Sequence, residues 1–337
     1  FWATFYSQHG WGEDGRYQEG DYILSSGQEE PRTPEIGHTI SLIADDFVRF
    51  RDDYYLYDKV FDRVHELGGL SGYAHQGMSF NGHRGMTLDV TAKKIDFLEL
   101  LQFCVAGGPL HLDHYYHFLD LGFPLTATAG SDFPWCGRGP NFGLPEGCSQ
   151  IGDARFYTLV DGAFSFESWA DGLRAGHTFV TSGPMLSLTV NGEPPGAWLE
   201  MSEGEVLNIS AIALGHRSQI PLSLLELVVH GEVVASMAAT EDSHKAEMNV
   251  NLELPLNHGV WVAARCQAGP GQIAHTTPVY VQVDGRGFHN PETAQERLDL
   301  SESYLKEIER ELENPGDSLD NQMSRYRDRV LERVGQV

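Results

Sequence analysis

The sequence predicts an α/β protein, with a barrel or open α/β sheet followed by an antiparallel β-sandwich and by C-terminal helices. Up to about residue 183, short apolar runs alternate with helical patterns, as in folds that join strands by helices. Residues 184–286 instead show alternating apolar and polar positions separated by turn residues, which favours a sandwich. From Pro291 the chain is rich in Glu and Arg with a helical period. We therefore expect three segments: 1–183, 184–286 and 287–337.

The first segment has two predicted helices between its strands. One runs from Leu56 to Leu67, places its apolar residues on one face and ends at Gly68. The other runs from Phe166 to Ala175 and ends at Gly176. The predicted strands are Tyr22–Ser26, Thr39–Ile43, Leu70–Ala74, Asp96–Leu101, Leu125–Ala129 and Phe156–Val160.

The middle and last segments follow simpler patterns. His230-Gly231-Glu232 predicts a hairpin turn within the middle segment. In the last segment we expect two surface helices, separated by a break at residues 314–316, Asn-Pro-Gly. The predicted sandwich strands are Leu186–Val190, Val206–Ala213, Leu224–Val229, Glu247–Leu254, Val260–Arg265 and Val279–Val283.

Composition excludes several classes of partner. The 337 residues include 48 acidic and 23 basic side chains, a formal charge of −25, and this field repels nucleic acid and anionic membranes. No apolar run approaches the roughly 20 residues of a membrane span, and no leader pattern is present. We expect a soluble protein with no nucleic-acid or membrane partner; cytoplasmic, periplasmic and secreted locations stay open.

Cys136 and Cys148 flank a Gly/Pro-rich loop. They could form a disulfide across this loop or remain free thiols.

Candidate metal ligands stand near the ends of the predicted strands. Glu29, His75 and Asp132 each follow such a strand, and Glu99 lies within one. In a parallel α/β barrel these ends form the catalytic face. His38 precedes a strand, and it faces the same pocket if that strand runs back across the opening. Imidazoles and carboxylates bind Zn²⁺, Mn²⁺ or Fe, and a divalent metal there would activate water, so the sequence predicts a hydrolytic centre.

These residues stand in motifs that resemble a known superfamily. The order Gly-Gln-Glu, Gly-His, Tyr-Ala-His, Asp-Phe-Leu-Glu and Ala-Gly-Ser-Asp is similar to the later metal-binding motifs of the polymerase-and-histidinol-phosphatase (PHP) superfamily. Residues 169–186, Trp-Ala-Asp-Gly-Leu-Arg-Ala-Gly-His-Thr-Phe-Val-Thr-Ser-Gly-Pro-Met-Leu, and 190–196, Val-Asn-Gly-Glu-Pro-Pro-Gly, resemble its CehA/McbA metallohydrolase branch, named for carbaryl-hydrolysing members. The similarity extends over roughly residues 20 to 285.

The resemblance implies a fold, a cofactor and a reaction. The fold would be a distorted PHP-type (β/α) barrel, incomplete at its N-terminus in this chain. Glu29, His38, His75 and Asp132 would bind a divalent metal, Zn, Mn or Fe. The reaction would be hydrolysis of an ester, carbamate, amide or phosphoester bond in a small-molecule substrate, with Asp132, His75 and Glu99 as candidate catalytic residues.

The chain departs from the family pattern in two places, and these departures leave alternatives for how the metal site is completed and what it does. The family begins with a His-x-His pair that we expect upstream of Phe1, and its Ser-Asp-x-His motif reads Ser131-Asp132-Phe133-Pro134 here. A missing or separately produced N-terminal segment would supply the rest of the site, and the chain could also form a homo-oligomer. The chain could instead bind fewer metals, or serve as a non-catalytic scaffold or binding protein with a degenerate site. Asp132 could instead cap the following loop, and Glu99 could instead pair with a structural Arg.

Overall fold

The protein is a mixed α/β structure, which confirms the predicted class at that level. A computed structural model describes residues 10–75, 80–101, 110, 112–132, 151–216, 219–239, 244–254, 258–269, 271–314 and 322–337. Over these residues, no helix has the length and apolar character needed to cross a membrane. The loop between Cys136 and Cys148 lies outside the described residues.

The elements are numbered here in chain order. The helices are α1 (Tyr57–Glu66), α2 (Gly82–Thr91), α3 (Asp113–Asp120), α4 (Phe166–Arg174), α5 (Ala294–Glu313) and α6 (Arg327–Val334), with a 3-10 turn at Met323–Tyr326. The strands are β1 (Tyr17–Glu19), β2 (Tyr22–Leu24), β3 (Arg32–Thr33), β4 (Gly37–Leu42), β5 (Leu70–Tyr73), β6 (Phe97–Leu101), β7 (Thr126–Ala129), β8 (Arg155–Thr158), β9 (Thr178–Thr181), β10 (Met185–Val190), β11 (Trp198–Met201), β12 (Val206–Leu214), β13 (Leu222–Val229), β14 (Glu232–Ala238), β15 (Lys245–Glu253), β16 (Val260–Ala268), β17 (Gln272–Thr276) and β18 (Val279–Val283).

The chain divides into two compact units. The first comprises Phe1–Leu98, Phe164–Phe166 and Gln295–Val337, and the second comprises Glu99–Ala163 and Glu167–Ala294. The boundary between them therefore falls within β6. The predicted segments 1–183, 184–286 and 287–337 stay a prediction.

The first unit contains a mixed sheet. Strand β4 pairs antiparallel with β3 and with β5, whereas β5 pairs parallel with β6. Only residues 34–36 join β3 to β4, and so short a connection permits only antiparallel pairing. A parallel barrel was an open prediction for this region, but the described strands do not form a closed barrel.

Helix α1 confirms the predicted amphipathic helix and supplies a core to this unit. Its residues Val60 and Val64 are buried against Ala44 and Val48, as the apolar spacing requires. In the same unit, α5 and α6 confirm the two helices predicted near the C-terminus. Both bury apolar side chains, Ile308 in α5 and Val330 in α6.

The second unit is dominated by strands that surround one hydrophobic core. Strands β10, β12 and β15 form an antiparallel sheet, and a larger sheet has the order β11-β18-β16-β17-β9-β8, with β13 and β14 added at β16. Leu188 and Ile209 of the first sheet belong to the same core cluster as Leu227 and Val262 of the second. The predicted hairpin turn is confirmed, since His230 and Gly231, both left-handed, join β13 to β14.

Candidate metal centre

Two of the predicted ligands meet where β4 begins and β5 ends. Because these strands are antiparallel, the start of one lies beside the end of the other. The backbone N–H of Ala74 donates to the carbonyl of His38 over 3.1 Å, which places His75 one residue beyond this bond. His38, at the start of β4, therefore lies beside the end of β5 that leads to His75.

The backbone at His75 turns its side chain towards His38. Tyr73 and Ala74 point to opposite faces of the sheet, so an extended His75 would return to the face of Tyr73. Instead His75 has a φ of 31°, which lies in the left-handed region that non-glycine residues rarely adopt. Such a conformation costs on the order of 1–3 kcal/mol and is found at functional sites more often than elsewhere.

Glu29 completes the cluster from the chain segment that lies alongside β4. The two histidine side chains are nearly buried, with exposed fractions of 7% for His38 and 4% for His75, whereas the Glu29 side chain is 28% exposed. Arg32 Nη1 lies 3.3 Å from the second carboxylate oxygen of Glu29. The carboxylate therefore stands at the solvent side of the two imidazoles.

The three donor atoms form a compact triangle. His38 Nδ1 lies 3.0 Å from Glu29 Oε1 and 3.0 Å from His75 Nε2, and His75 Nε2 lies 3.9 Å from Glu29 Oε1. A point equidistant from three atoms with these separations is about 2.0 Å from each, which is the usual length of a Zn–N or Zn–O bond. Within the described part of the chain, these three residues form the cluster that could hold a metal ion.

Hydrogen bonds among these three atoms cannot pair all of them at once. A neutral imidazole nitrogen carries either one proton or one lone pair. If His38 Nδ1 carries a proton, it can point well at only one of its two neighbours, and if it carries a lone pair, it faces the negative oxygen of Glu29. A cation at the centre would accept a lone pair from all three atoms.

The protonation states suit metal binding. Burial, reinforced by the neighbouring His38, lowers the pKa of His75 to about 4, although Glu29 opposes this shift. Burial by itself would raise the pKa of Glu29, but the hydrogen bond from His38 and the charge of Arg32 outweigh it, so the pKa lies below its usual value. At neutral pH His75 therefore offers a lone pair and Glu29 a negative charge.

Phe80 covers one side of the cluster. Its ring stacks on that of His38 with centroids 4.0 Å apart, and its side chain remains 44% exposed. Phe80 and Asn81 both have left-handed φ values, 60° and 51°, and the Asn81 side chain donates to the Pro34 carbonyl over 2.8 Å. Phe80 could not be predicted as a site residue, because nothing in its sequence neighbourhood resembles a binding motif.

Glycines allow helix α2 to begin close to His38. A Cβ on Gly37 would lie 2.6 Å from the Cα of Gly82, and one on Gly85 would lie 2.0 Å from the Ile36 carbonyl oxygen. Both contacts are too short for any side chain. The close approach brings Phe80, two residues before α2, over the imidazole of His38.

The other two predicted site residues, Glu99 and Asp132, belong to the second unit. Glu99 is buried on β6, and a Cβ on Gly130 would lie 2.8 Å from its Oε1, so this carboxylate lies against the backbone that precedes Asp132. Asp132 follows β7 with a φ of 50°. The described three-residue cluster includes neither of them, and their metal-binding and catalytic roles stay predictions.

Comparison of the chain with protein-family models, with curated proteins and with solved structures finds no match. Function is therefore inferred from the residues of the site and from their geometry.

Proposed function

We propose that the protein is a metal-dependent hydrolase that cleaves an ester, carbamate, amide or phosphoester bond of a small molecule. The observation that carries this proposal is the triangle of Glu29, His38 and His75. Its atoms are spaced for a cation and are poorly satisfied by hydrogen bonds with one another. Two imidazoles and one carboxylate are a ligand set of catalytic zinc.

The donor set favours a borderline metal such as Zn²⁺, Mn²⁺ or Fe. Such a cation supplies Lewis acidity and an activated water at neutral pH. Glu29 contributes a negative charge that offsets part of the charge of the cation. His38 and His75, nearly buried and packed beside Phe80, hold their ring nitrogens in place while excluding bulk water from that side.

The motifs that resemble the PHP superfamily extend this proposal. Asp132 would act as a fourth ligand or as an acid or base, and Glu99 would hold or move a proton. The associated architecture is a distorted PHP-type barrel, with the two sheets of the second unit as its β-sandwich. The shared core of those sheets supports the sandwich.

Hydrolysis measured with and without metal tests the proposal. Protein stripped by a chelator and then supplied with Zn²⁺ or Mn²⁺ should hydrolyse at least one class in a panel of esters, carbamates, amides and phosphoesters. The stripped protein and a metal-supplied His38→Ala variant should not. Metal-bound protein that is inactive on every class would instead favour the non-catalytic scaffold.

Asp132 is tested separately by its effect on metal affinity. An Asp132→Ala variant should bind Zn²⁺ at least about 10-fold more weakly if Asp132 is a ligand, because changes to residues that only support the ligands already cost 10–100-fold. Circular dichroism should show that the variant is folded. Unchanged affinity and stoichiometry would remove Asp132 from the ligand set.

A further inference from the structure

The segment that carries Glu29 departs from regular strand pairing. Gln28 pairs with Ser41 of β4 through two backbone hydrogen bonds of 3.0 and 2.8 Å, and Arg32 pairs with His38. Four steps along the chain lead from Gln28 to Arg32, but only three lead from Ser41 back to His38. The outer segment therefore contains one extra residue, as in a β-bulge, and bulges re-aim side chains beside active sites.

The side chain of Gln28 fixes this irregular segment. It is buried, and its Oε1 accepts the Val48 N–H over 2.9 Å. Its Nε2 donates to the carbonyls of Val48 and Glu30, each over 3.0 Å. The bond from Gln28 to the Glu30 carbonyl closes a ring around Glu29, so the backbone of Glu29 cannot rotate unless that bond breaks.

The far end of the bulge is held in a similar way. Thr39 donates from both its backbone N–H and its hydroxyl to the Pro31 carbonyl, each over 3.0 Å. Glu30 is almost fully buried, and Arg49 Nε lies 3.0 Å from its carboxylate. Glu29 is thus the side chain of this bulge that reaches the two imidazoles, while its neighbours are anchored elsewhere.

We propose that Gln28 is a positioning residue for metal binding: its side-chain amide holds the bulge so that the Glu29 carboxylate stays 3.0 Å from His38 Nδ1. Gln28 does not touch the metal in this role. The inference rests on the proposed metal site, and it goes beyond that site by naming what sets the geometry of one ligand.

Zinc affinity, measured by competition with a chromophoric chelator, tests this role. Gln28→Met keeps the approximate shape of the side chain but removes all three hydrogen bonds. We expect it to weaken zinc binding by about 10–100-fold, the usual effect of removing a group that orients a ligand. Tyr55→Phe is the matched control, because it removes a different buried hydrogen bond of the same unit, to Glu35. Its zinc affinity should equal that of the wild type.

A double variant separates positioning from general destabilisation. If Gln28 acts through Glu29, then Gln28→Met should weaken zinc binding little further in a Glu29→Gln background. An equal loss in both backgrounds, or no loss in the wild-type background, would overturn the positioning role. If Gln28→Met does not fold, Gln28→Glu replaces it in the same cycle. A folded wild type that fails to bind zinc would instead overturn the metal site itself, and the positioning role with it.

Discussion

Two buried histidines, one in each unit, show how a candidate ligand differs from a structural residue. Burial lowers the pKa of His75 in the first unit to about 4, and it lowers the pKa of His275 in the second unit to about 4 as well. Both residues are therefore neutral at physiological pH. The pKa shift alone does not distinguish them.

Their hydrogen-bond partners do distinguish them. His275 is fully buried on β17, where its Nδ1 lies 2.7 Å from the Thr276 carbonyl and its Nε2 lies 2.7 Å from the Tyr116 hydroxyl. One nitrogen can donate and the other accept, so a neutral ring is satisfied. His75 Nε2 instead lies 3.0 Å from His38 Nδ1, and the same nitrogen of His38 lies 3.0 Å from Glu29 Oε1. The backbone of His75 is left-handed. An imidazole nitrogen that lies within 4 Å of both a second imidazole nitrogen and a carboxylate oxygen is the better candidate ligand.

The largest expected effect is on metal binding by the first unit. His75→Ala should weaken zinc binding by more than about 100-fold, because loss of a ligand costs more than loss of a supporting group. The midpoint of thermal unfolding without metal should change little, since the variant also loses the close contact between two imidazole nitrogens, His75 Nε2 and His38 Nδ1. Equal zinc affinity in the variant would show that His75 is structural, as His275 is.

The next effect is on stability of the second unit. His275→Ala should lower the free energy of unfolding by about 2–4 kcal/mol, because it leaves a cavity and takes a partner from the Tyr116 hydroxyl. Urea denaturation measures this loss. Zinc affinity should stay at the wild-type value, and a large fall in it would contradict the structural assignment.

The pH dependence of stability gives a third contrast. Since the pKa of His275 is about 4 when folded and about 6.5 when unfolded, the unfolded chain binds more protons between these values. The contribution of neutral His275 to the free energy of unfolding is present above pH 6.5 and is lost as pH falls. The loss between pH 7 and pH 5 is about 2 kcal/mol. The difference in unfolding free energy between wild type and His275→Gln should therefore shrink over this range, and a constant difference would contradict the shift.

The smallest effect concerns the hydroxyl that satisfies His275. Tyr116→Phe keeps the ring packing against Trp261 and leaves His275 Nε2 without its donor. We expect a loss of about 1–2 kcal/mol in unfolding free energy, the cost of a buried polar atom left unpaired. Stability equal to wild type would mean that the hydroxyl contributes nothing to holding His275.

The strands could be predicted where apolar residues alternate, and less well elsewhere. Strand β14 was missed because nearly all of its side chains are exposed, and β17 because it buries the polar residues His275 and Thr276. Helix α2 was missed because Gly82 and Gly85 disfavour a helix. Here Gly85 allows close packing against Ile36, the residue before β4.

The candidate site could be predicted in part. The positions of Glu29, His38 and His75 near strand ends and in motifs identified three side chains that the structure brings together. Their contact depends on the antiparallel direction of β4 and on the left-handed turn at His75. No local sequence signal encodes that turn, because histidine has no marked preference for it comparable with that of glycine.

Elemental analysis by plasma mass spectrometry tests most directly whether Glu29, His38 and His75 bind a metal. The purified protein is measured before and after chelation, and again after zinc, manganese or iron is offered. We predict near-stoichiometric metal that is removed by the chelator, restored on addition, and absent from the His75→Ala variant. A folded wild-type protein that stays metal-free after metal is offered would contradict the claim and would leave the Glu29, His38 and His75 cluster as a structural feature.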